Sequence, residues 1–437
     1  MRRKSILAPL LLLALAGCSL YNDVTVGPLN LLPSNIERGS DIQSMLRKAD
    51  YLRAIDLTDT ITKREHPNPV DLASLGEAYL AAGRYDDARK ILRDALDLKP
   101  FRATHAQVAW DLAQLEYLQN NYDASLEWAE IAVDHGVNVR QWHTDFLRAM
   151  SNVQAYRFSG APSDDIPFKF EHPVVPRINV RANGTHQIEA VIDSGAVLSI
   201  VSRRVANELG LQAISPSEGT FFGLLGEPIQ VQFALLQRLE LGAIVIENVP
   251  VAIMPDDKMK FLVNKKEGTQ LNIDFLLGSN LLKEFRLELR FDRKHARFTR
   301  LTAKDHVADR DQNLFIENFR PHVRGAVNRK GWFLFVLDTG SEITFLNQAR
   351  LATLPIQMFG SGAHSATLQG LGGAMKHGGK VENVEVGIDR WAGTFKTLPM
   401  YENDVKEEDV GILGENFLQN FNVVIDFGRM RVDLQRR

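Results

Sequence analysis

The sequence predicts a multidomain chain, α-helical in its first part and all-β in two matched lobes after that, and three observations carry the expectation. An apolar strand ending in Asp-Ser/Thr-Gly occurs twice, as Ala190-Val191-Ile192-Asp193-Ser194-Gly195-Ala196 and as Phe335-Val336-Leu337-Asp338-Thr339-Gly340-Ser341, with the aspartates 145 residues apart. From about Asp41 to Asn152 apolar residues recur at three- and four-residue spacing, the period of a helix face. Beyond that, Val174 to Val180 and Gln187 to Ile192 flank Asn183-Gly184, a strong hairpin signal.

Residues 1–18 read as an export signal: Arg2, Arg3 and Lys4 precede an apolar run from Ile6 to Ala16 that is short for a membrane span. The run ends in Leu15-Ala16-Gly17-Cys18, which resembles the lipobox of bacterial lipoproteins. The resemblance implies lipidation of Cys18. With Ser19 rather than an aspartate next to it, it further implies an outer-membrane anchor facing the periplasm. An ordinary secretory signal with an incidental cysteine is the alternative. Cys18 is the single cysteine in 437 residues, so no disulfide joins parts of this chain, and neither a cysteine zinc site nor a catalytic thiol is available after it. A net charge of −3 with both signs well mixed gives no footing for nucleic-acid binding. Residues 19–39, rich in Asn, Pro, Gly and Ser and without a period, read as a tether.

Residues 40–155 are expected to be helical repeats. Leu75-Gly76, Tyr79, Gly83, Tyr85, Ala88, Ala95 and Pro100 stand close to the tetratricopeptide pattern. Tyr51 and Ala54 lie 34 residues before Tyr85 and Ala88, and Leu112, Tyr122, Ser125 and Ala132 lie 37 after Leu75, Tyr85, Ala88 and Ala95. That suggests three helix-turn-helix units, degenerate at the ends, with a concave surface for a peptide or protein partner. A plain helical bundle serving as a spacer is the other reading.

Residues 156–167, with Gly, Pro, Ser and Asp, are expected to be a linker. Lobe 1 then spans 168–303 and lobe 2 spans 304–437, joined through a polar stretch at about His306 to Asn313. Lobe 2 repeats the hairpin with Arg324 to Val327 and Trp332 to Leu337 around Lys330-Gly331. Further landmarks recur in one order. Leu239-Glu240-Leu241-Gly242 matches Val384-Glu385-Val386-Gly387, the glycine-rich Gly223-Leu224-Leu225-Gly226 matches Gly370-Leu371-Gly372-Gly373, and Leu276-Leu277-Gly278 matches Ile412-Leu413-Gly414.

This ordered set resembles two retropepsin-like aspartic peptidase domains in tandem, over roughly residues 168 to 437. The fold it implies is an all-β bilobal pair following N-terminal all-α tetratricopeptide-like repeats. It also implies site residues. Asp193 and Asp338 would be the catalytic pair, with the Ser194 and Thr339 hydroxyls cross-linking the loops beneath it. Gly195 and Gly340 would let the backbone approach the carboxylates, and Gly278 and Gly414 would let each loop pack on its lobe. Gly223, Gly226, Gly370, Gly372 and Gly373 would lie in flaps over the substrate. No tyrosine stands beside those glycines, so the flaps look more like the retroviral kind than the pepsin kind. Ala196 is the retroviral choice after Gly and Ser341 the pepsin-like one. A Ser341 hydroxyl bonded to the ionised pair would lower its pKa, which places the expected working pH between acidic and neutral.

The chemistry expected is hydrolysis of peptide bonds in periplasmic or envelope proteins, since one carboxylate cannot be both acid and base to the same water and two adjoining ones can. It needs no metal or cofactor. None of the 11 histidines falls in His-Glu-x-x-His spacing, and neither glycine-rich piece continues into the Lys-Ser/Thr of a phosphate loop. The expected partners are a peptide or protein substrate, the membrane through the lipid anchor, and a protein bound by the repeats. The competing expectation is an inactive peptide-binding scaffold on the same lobes.

Overall fold

The computed structural model describes residues 14–15, 24–32, 41–171, 174–222, 228–264, 269–307, 311–352, 354, 367–370, 373–376, 379–401 and 409–437. Cys18, Gly223, Gly226 and Gly372 lie outside them, as do most of the expected signal and tether.

Each lobe is organised by the same strand crossing. In lobe 1, Arg177–Ala182 returns as His186–Ile192. Asn183 and Gly184, at φ 46° and 78°, make a turn whose left-handed backbone matches strand twist. His186–Ile192 then runs parallel to Phe275–Leu277, which is antiparallel to Ser199–Ser202 on its other edge. A late strand is thus slotted between two early ones, and the loop carrying Asp193 leaves from the end of the first. Lobe 2 repeats the slot: Gly411–Leu413 lies parallel to Lys330–Leu337 and antiparallel to Phe345–Asn347. The ends of the two strands that lead into the aspartates, residues 190–192 and 333–337, are buried and wholly apolar, which is why they read as continuous runs rather than alternation.

Two details of the duplication differ from the sequence reading. The lobe 2 hairpin turns at Asn328-Arg329, at φ 48° and 63°, and not at Lys330-Gly331. Asn accepts a left-handed backbone readily, and the surplus residue is absorbed as an irregularity between Gly325 and Val327. The long hairpin Pro228–Leu241 with Ile244–Met254 closes with Leu241 opposite Ile244, and Gly379–Ile388 with Trp391–Tyr401 closes with Ile388 opposite Trp391. Structurally Leu241 therefore matches Ile388, two residues beyond the motif match.

The lobes share a seam. Phe285–Arg290 of lobe 1 pairs antiparallel with Phe421–Asp426 of lobe 2, Leu287 opposite Ile425. The sheet continues through His295–Arg300 to Ser163–Lys169 on one side and to Arg431–Arg436 on the other.

The expected N-terminal all-α repeat domain set apart from the β lobes is corrected. The described residues are mostly β, with 40% in strands and 29% in helices. Its N-terminal part contains a strand, Val24–Pro28, which extends the lobe 2 sheet by pairing with Trp391–Phe395 inside the stretch expected as a tether. The expected linker carries strands as well: Arg157–Gly160 pairs with Ile244–Glu247, and Ser163–Thr299 pairing ties the next strand to lobe 1. Helices do occupy much of 42–150, but the first three, Ile42–Arg47, Tyr51–Asp56 and Thr58–Thr62, have six, six and five residues, too few for a 34-residue unit. The spacing that suggested repeats comes from ordinary helix contacts: Ala78, Ala88 and Ala95 are fully buried, and a Cβ on Gly76 would lie 2.4 Å from Leu92 Cδ2.

Nor is the helical segment independent. Its core residues Leu75, Ala78 and Leu92 belong to one continuous apolar cluster with Phe285, Phe298, Phe335 and Val432. Trp142 stacks on Phe233 of lobe 1 at 5.6 Å and Phe146 meets the same ring at 5.0 Å, while Tyr117 meets Phe319 of lobe 2 edge-on at 4.8 Å. His143 sits among Trp110, Trp142, Tyr117 and Phe319, and burial pushes its pKa down to about 4. No helix among the described residues is long and apolar enough to cross a membrane.

Candidate active site

Asp193 and Asp338 each follow the last residue of a buried strand, at 0% and 1% exposure. Their main chains are held by the slotted strand: Asp193 N–H donates to Leu277 O at 3.0 Å and Asp338 N–H to Leu413 O at 3.1 Å. The two loops meet head to head. A Cβ on Gly195 would fall 2.4 Å from Asp338 Cγ, and one on Gly340 would fall 2.4 Å from Asp193 Cγ. Only glycine leaves room for each loop to lie against the other's carboxyl.

Ser194 and Thr339 lock this contact reciprocally. Ser194 N–H donates to Thr339 Oγ1 at 3.0 Å and Thr339 N–H to Ser194 Oγ at 3.1 Å. Ser194 Oγ donates to Leu337 O at 2.7 Å, and Thr339 Oγ1 to Ile192 O at 2.8 Å. Each hydroxyl therefore reaches the strand end of the opposite lobe, with no exposed atom at either residue. Gly278 and Gly414 lie against the loop backbones, where a Cβ would be 2.5 Å from Leu198 C and 2.4 Å from Ile343 O.

Backbone amides of the same loops face the carboxylates. Ala196 N–H donates to Asp193 Oδ1 at 3.0 Å and Gly340 N–H to Asp338 Oδ1 at 2.9 Å. Asp193 Oδ2 has no hydrogen-bond partner among the described residues. Burial and the adjacent charge of Asp338 push the Asp193 carboxyl well above the usual carboxylate range. Burial also raises Asp338, to about 6, where the amides of its own loop and the buried Arg320 guanidinium hold it back. The Ser341 hydroxyl does not take part as expected: it donates to Ile343 O at 2.8 Å, away from the pair.

Several residues that shape the site were not singled out from sequence. Asn280 Oδ1 accepts from Ser199 N–H at 2.7 Å and Ser199 Oγ at 2.9 Å, and Ser199 Oγ accepts from Gly278 N–H at 3.1 Å. Asn416, Thr344 and Gly414 repeat this at 2.8, 2.8 and 3.1 Å. The signal was present, as a hydroxyl six residues after each aspartate and an asparagine two after each late glycine. Glu342 had no counterpart to reveal it, since lobe 1 has Val197 there. Its buried carboxyl accepts from Val174 N–H across the lobe boundary, and burial lifts it to about 7 against that bond and the Arg177 charge.

Of the expected flap glycines, Gly370 and Gly373 face each other at the closed end of the hairpin Thr367–Gly370 and Gly373–Lys376. Gly223, Gly226 and Gly372 lie outside the described residues. In lobe 1 the strand Gly219–Phe222 pairs back on Pro228–Val231. Among the described residues no group of three His, Cys, Asp or Glu side chains is placed to hold a metal ion.

Residues 178–281 match a protein-family model described as aspartyl protease, which supports an aspartic peptidase domain over most of lobe 1. No curated protein matches the chain. Among solved structures, a retropepsin-like aspartic protease from Rickettsia conorii aligns at 18% identity and TM-score 0.23, over 33% of this chain and 95% of that one. Basic 7S globulin from soybean aligns at 12% identity and TM-score 0.37, over 62% and 96%.

Proposed function

We propose that the chain is an aspartic endopeptidase that hydrolyses peptide bonds with Asp193 and Asp338 acting on one bound water. The reading is carried by one observation, the reciprocal seating of each Asp-Ser/Thr-Gly loop against the other's carboxyl. Two carboxylates so close cannot both ionise cheaply, and the pair holds a single proton, the behaviour known for aspartic protease dyads. Asp338 gives up its proton the more readily, so it is the ionised member and takes a proton from water as the water attacks the carbonyl. Asp193 keeps its proton and donates to the developing oxyanion through Oδ2, the oxygen without a protein partner. Both carboxyls come from one chain, so the site forms without dimerisation. We propose further that Cys18 carries a lipid holding the protein at the outer membrane, so that its substrates are periplasmic or envelope proteins; metabolic labelling with a fatty acid, lost on Cys18→Ala, tests the anchor.

The test of the activity is cleavage of a mixed peptide library at about pH 5 and pH 7 by the protein without its lipid. Asp338→Asn should lower the rate by about 10²–10⁴-fold while peptide binding persists. Wild-type protein that binds library peptides and cuts none would make the lobes a peptide-binding scaffold.

A further inference from the structure

The two lobes differ in kind at the first residue of the short helix after the late glycine. Lobe 1 has Ser279 there, whose N–H donates to Ala196 O at 2.7 Å and whose hydroxyl donates to Ser194 O at 2.5 Å. Lobe 2 has Glu415, whose N–H makes the matching bond to Ser341 O at 2.8 Å. Its side chain has no exposed surface, and neither carboxyl oxygen has a hydrogen-bond partner among the described residues. An ionised carboxylate in such a place, without a donor or a paired cation, would carry a large desolvation cost. The charged groups acting on it are Asp338, which opposes its ionisation, and Arg437, which favours it more weakly than burial opposes it.

We propose that Glu415 is the third carboxyl of the site: a neutral acid beneath the Asp338 loop, coupled to Asp338, so that Asp193, Asp338 and Glu415 together hold two protons and one negative charge. The shared loop contacts support it, and it does not depend on the loops cleaving a peptide. Burial and the Asp338 charge raise the Glu415 carboxyl well above its ordinary value, in keeping with the geometry. The order of ionisation is the useful part. Asp338 loses its proton first, and its charge is then felt by both Asp193 and Glu415, which keep theirs.

Unfolding in urea, measured on the full chain from about pH 4 to pH 8, tests this without reference to activity. The folded wild type retains a proton on Glu415 that the unfolded chain releases, so its folding constant should fall relative to Glu415→Gln as pH rises, by up to about tenfold per pH unit. In the Asp338→Asn background that gap should shrink, because the charge that helps hold the proton is gone. A gap that does not grow with pH would mean that Glu415 is not neutral in the fold. A gap of the same size in both backgrounds would leave Glu415 a buried structural group uncoupled from the site. Either result overturns the proposal. Should the glutamine variant fail to fold, Glu415→Ser, which installs the residue of lobe 1, supplies the same comparison.

Discussion

Asp193 and Asp338 occupy matched positions in unlike surroundings. Arg177 pairs with Val191 and His322 with Val336, each opposite a residue two before its aspartate, so the fully buried Arg320 stands where lobe 1 has Val175. Burial raises Asp338 to about 6, and the Gly340 amide, the Asp193 carboxyl and, after them, the Arg320 charge hold it below its partner. If Asp338 must be ionised to act as base, cleavage should rise with pH through a midpoint near about 6, and a pH–rate profile of kcat/KM checks it; a midpoint near the ordinary aspartate value of about 4 would remove Asp338 from that role. The same shift has a stability consequence of fixed sign. A carboxyl raised on folding binds a proton that the unfolded chain has lost, so wild-type stability falls as pH climbs from the ordinary carboxylate range to the folded value. Asp338→Asn should therefore be more stable than wild type at pH 7 and little different near pH 4, by on the order of 2 kcal/mol at pH 7, as thermal or urea unfolding would show.

At the scale of elements, the site is a product of two slotted strands and the ties that keep them seated. Asn280 and Asn416 are matched ties with unequal duties. Beyond the contacts both make, Asn280 Nδ2 donates to the Tyr156 hydroxyl at 2.7 Å and to Pro250 O at 3.1 Å. Leaving buried donors and acceptors unpaired costs about 1–3 kcal/mol per group, so Asn280→Ala should destabilise the protein more than Asn416→Ala in urea unfolding. Equal losses would mean that the bonds to Tyr156 and Pro250 contribute nothing. This is also the scale at which the sequence was most and least readable. The apolar strand before each aspartate could be read from the repeat itself, whereas places for Ser194, Thr339, Gly278 and Gly414 were expected only through the resemblance that the repeated landmarks carry. Glu342 and Glu415 could not be read, since each replaces a residue of a different kind in lobe 1 and the repeat gives no template for it. Val24–Pro28 could not be read as a strand either: five residues with a Gly and a Pro have no alternation of their own, and pairing with Trp391–Phe395 makes them one. The repeat reading of residues 40–155 failed for a related reason. Alanines at helix contacts look alike whether helices pack on one another or on a β lobe.

Over the whole molecule, the helical segment, the two lobes and the seam between them share their apolar core. Trp142 and Phe146 cover Phe233 of lobe 1, Tyr117 covers Phe319 of lobe 2, and Gln312 Nε2 donates to Ala82 O at 2.9 Å. A chain trimmed to residues 157–437 would bare these faces to water, and at about 25 cal/mol per Å² of apolar surface a few such rings are a substantial part of a typical folding free energy. Expressed alone it should be insoluble or lack a cooperative unfolding transition, although it keeps both aspartates. A soluble, cooperatively folding fragment would restore the helical segment to the status of a separate domain. The seam carries a consequence for the making of the protein. Phe285–Arg290 emerges from the ribosome well over a hundred residues before its partner Phe421–Asp426, and the strand Gly411–Leu413 that seats Asp338 comes almost as late. A nascent chain already holds Asp193 yet has nothing to set against it, so the two aspartates meet only after most of the chain has been synthesised.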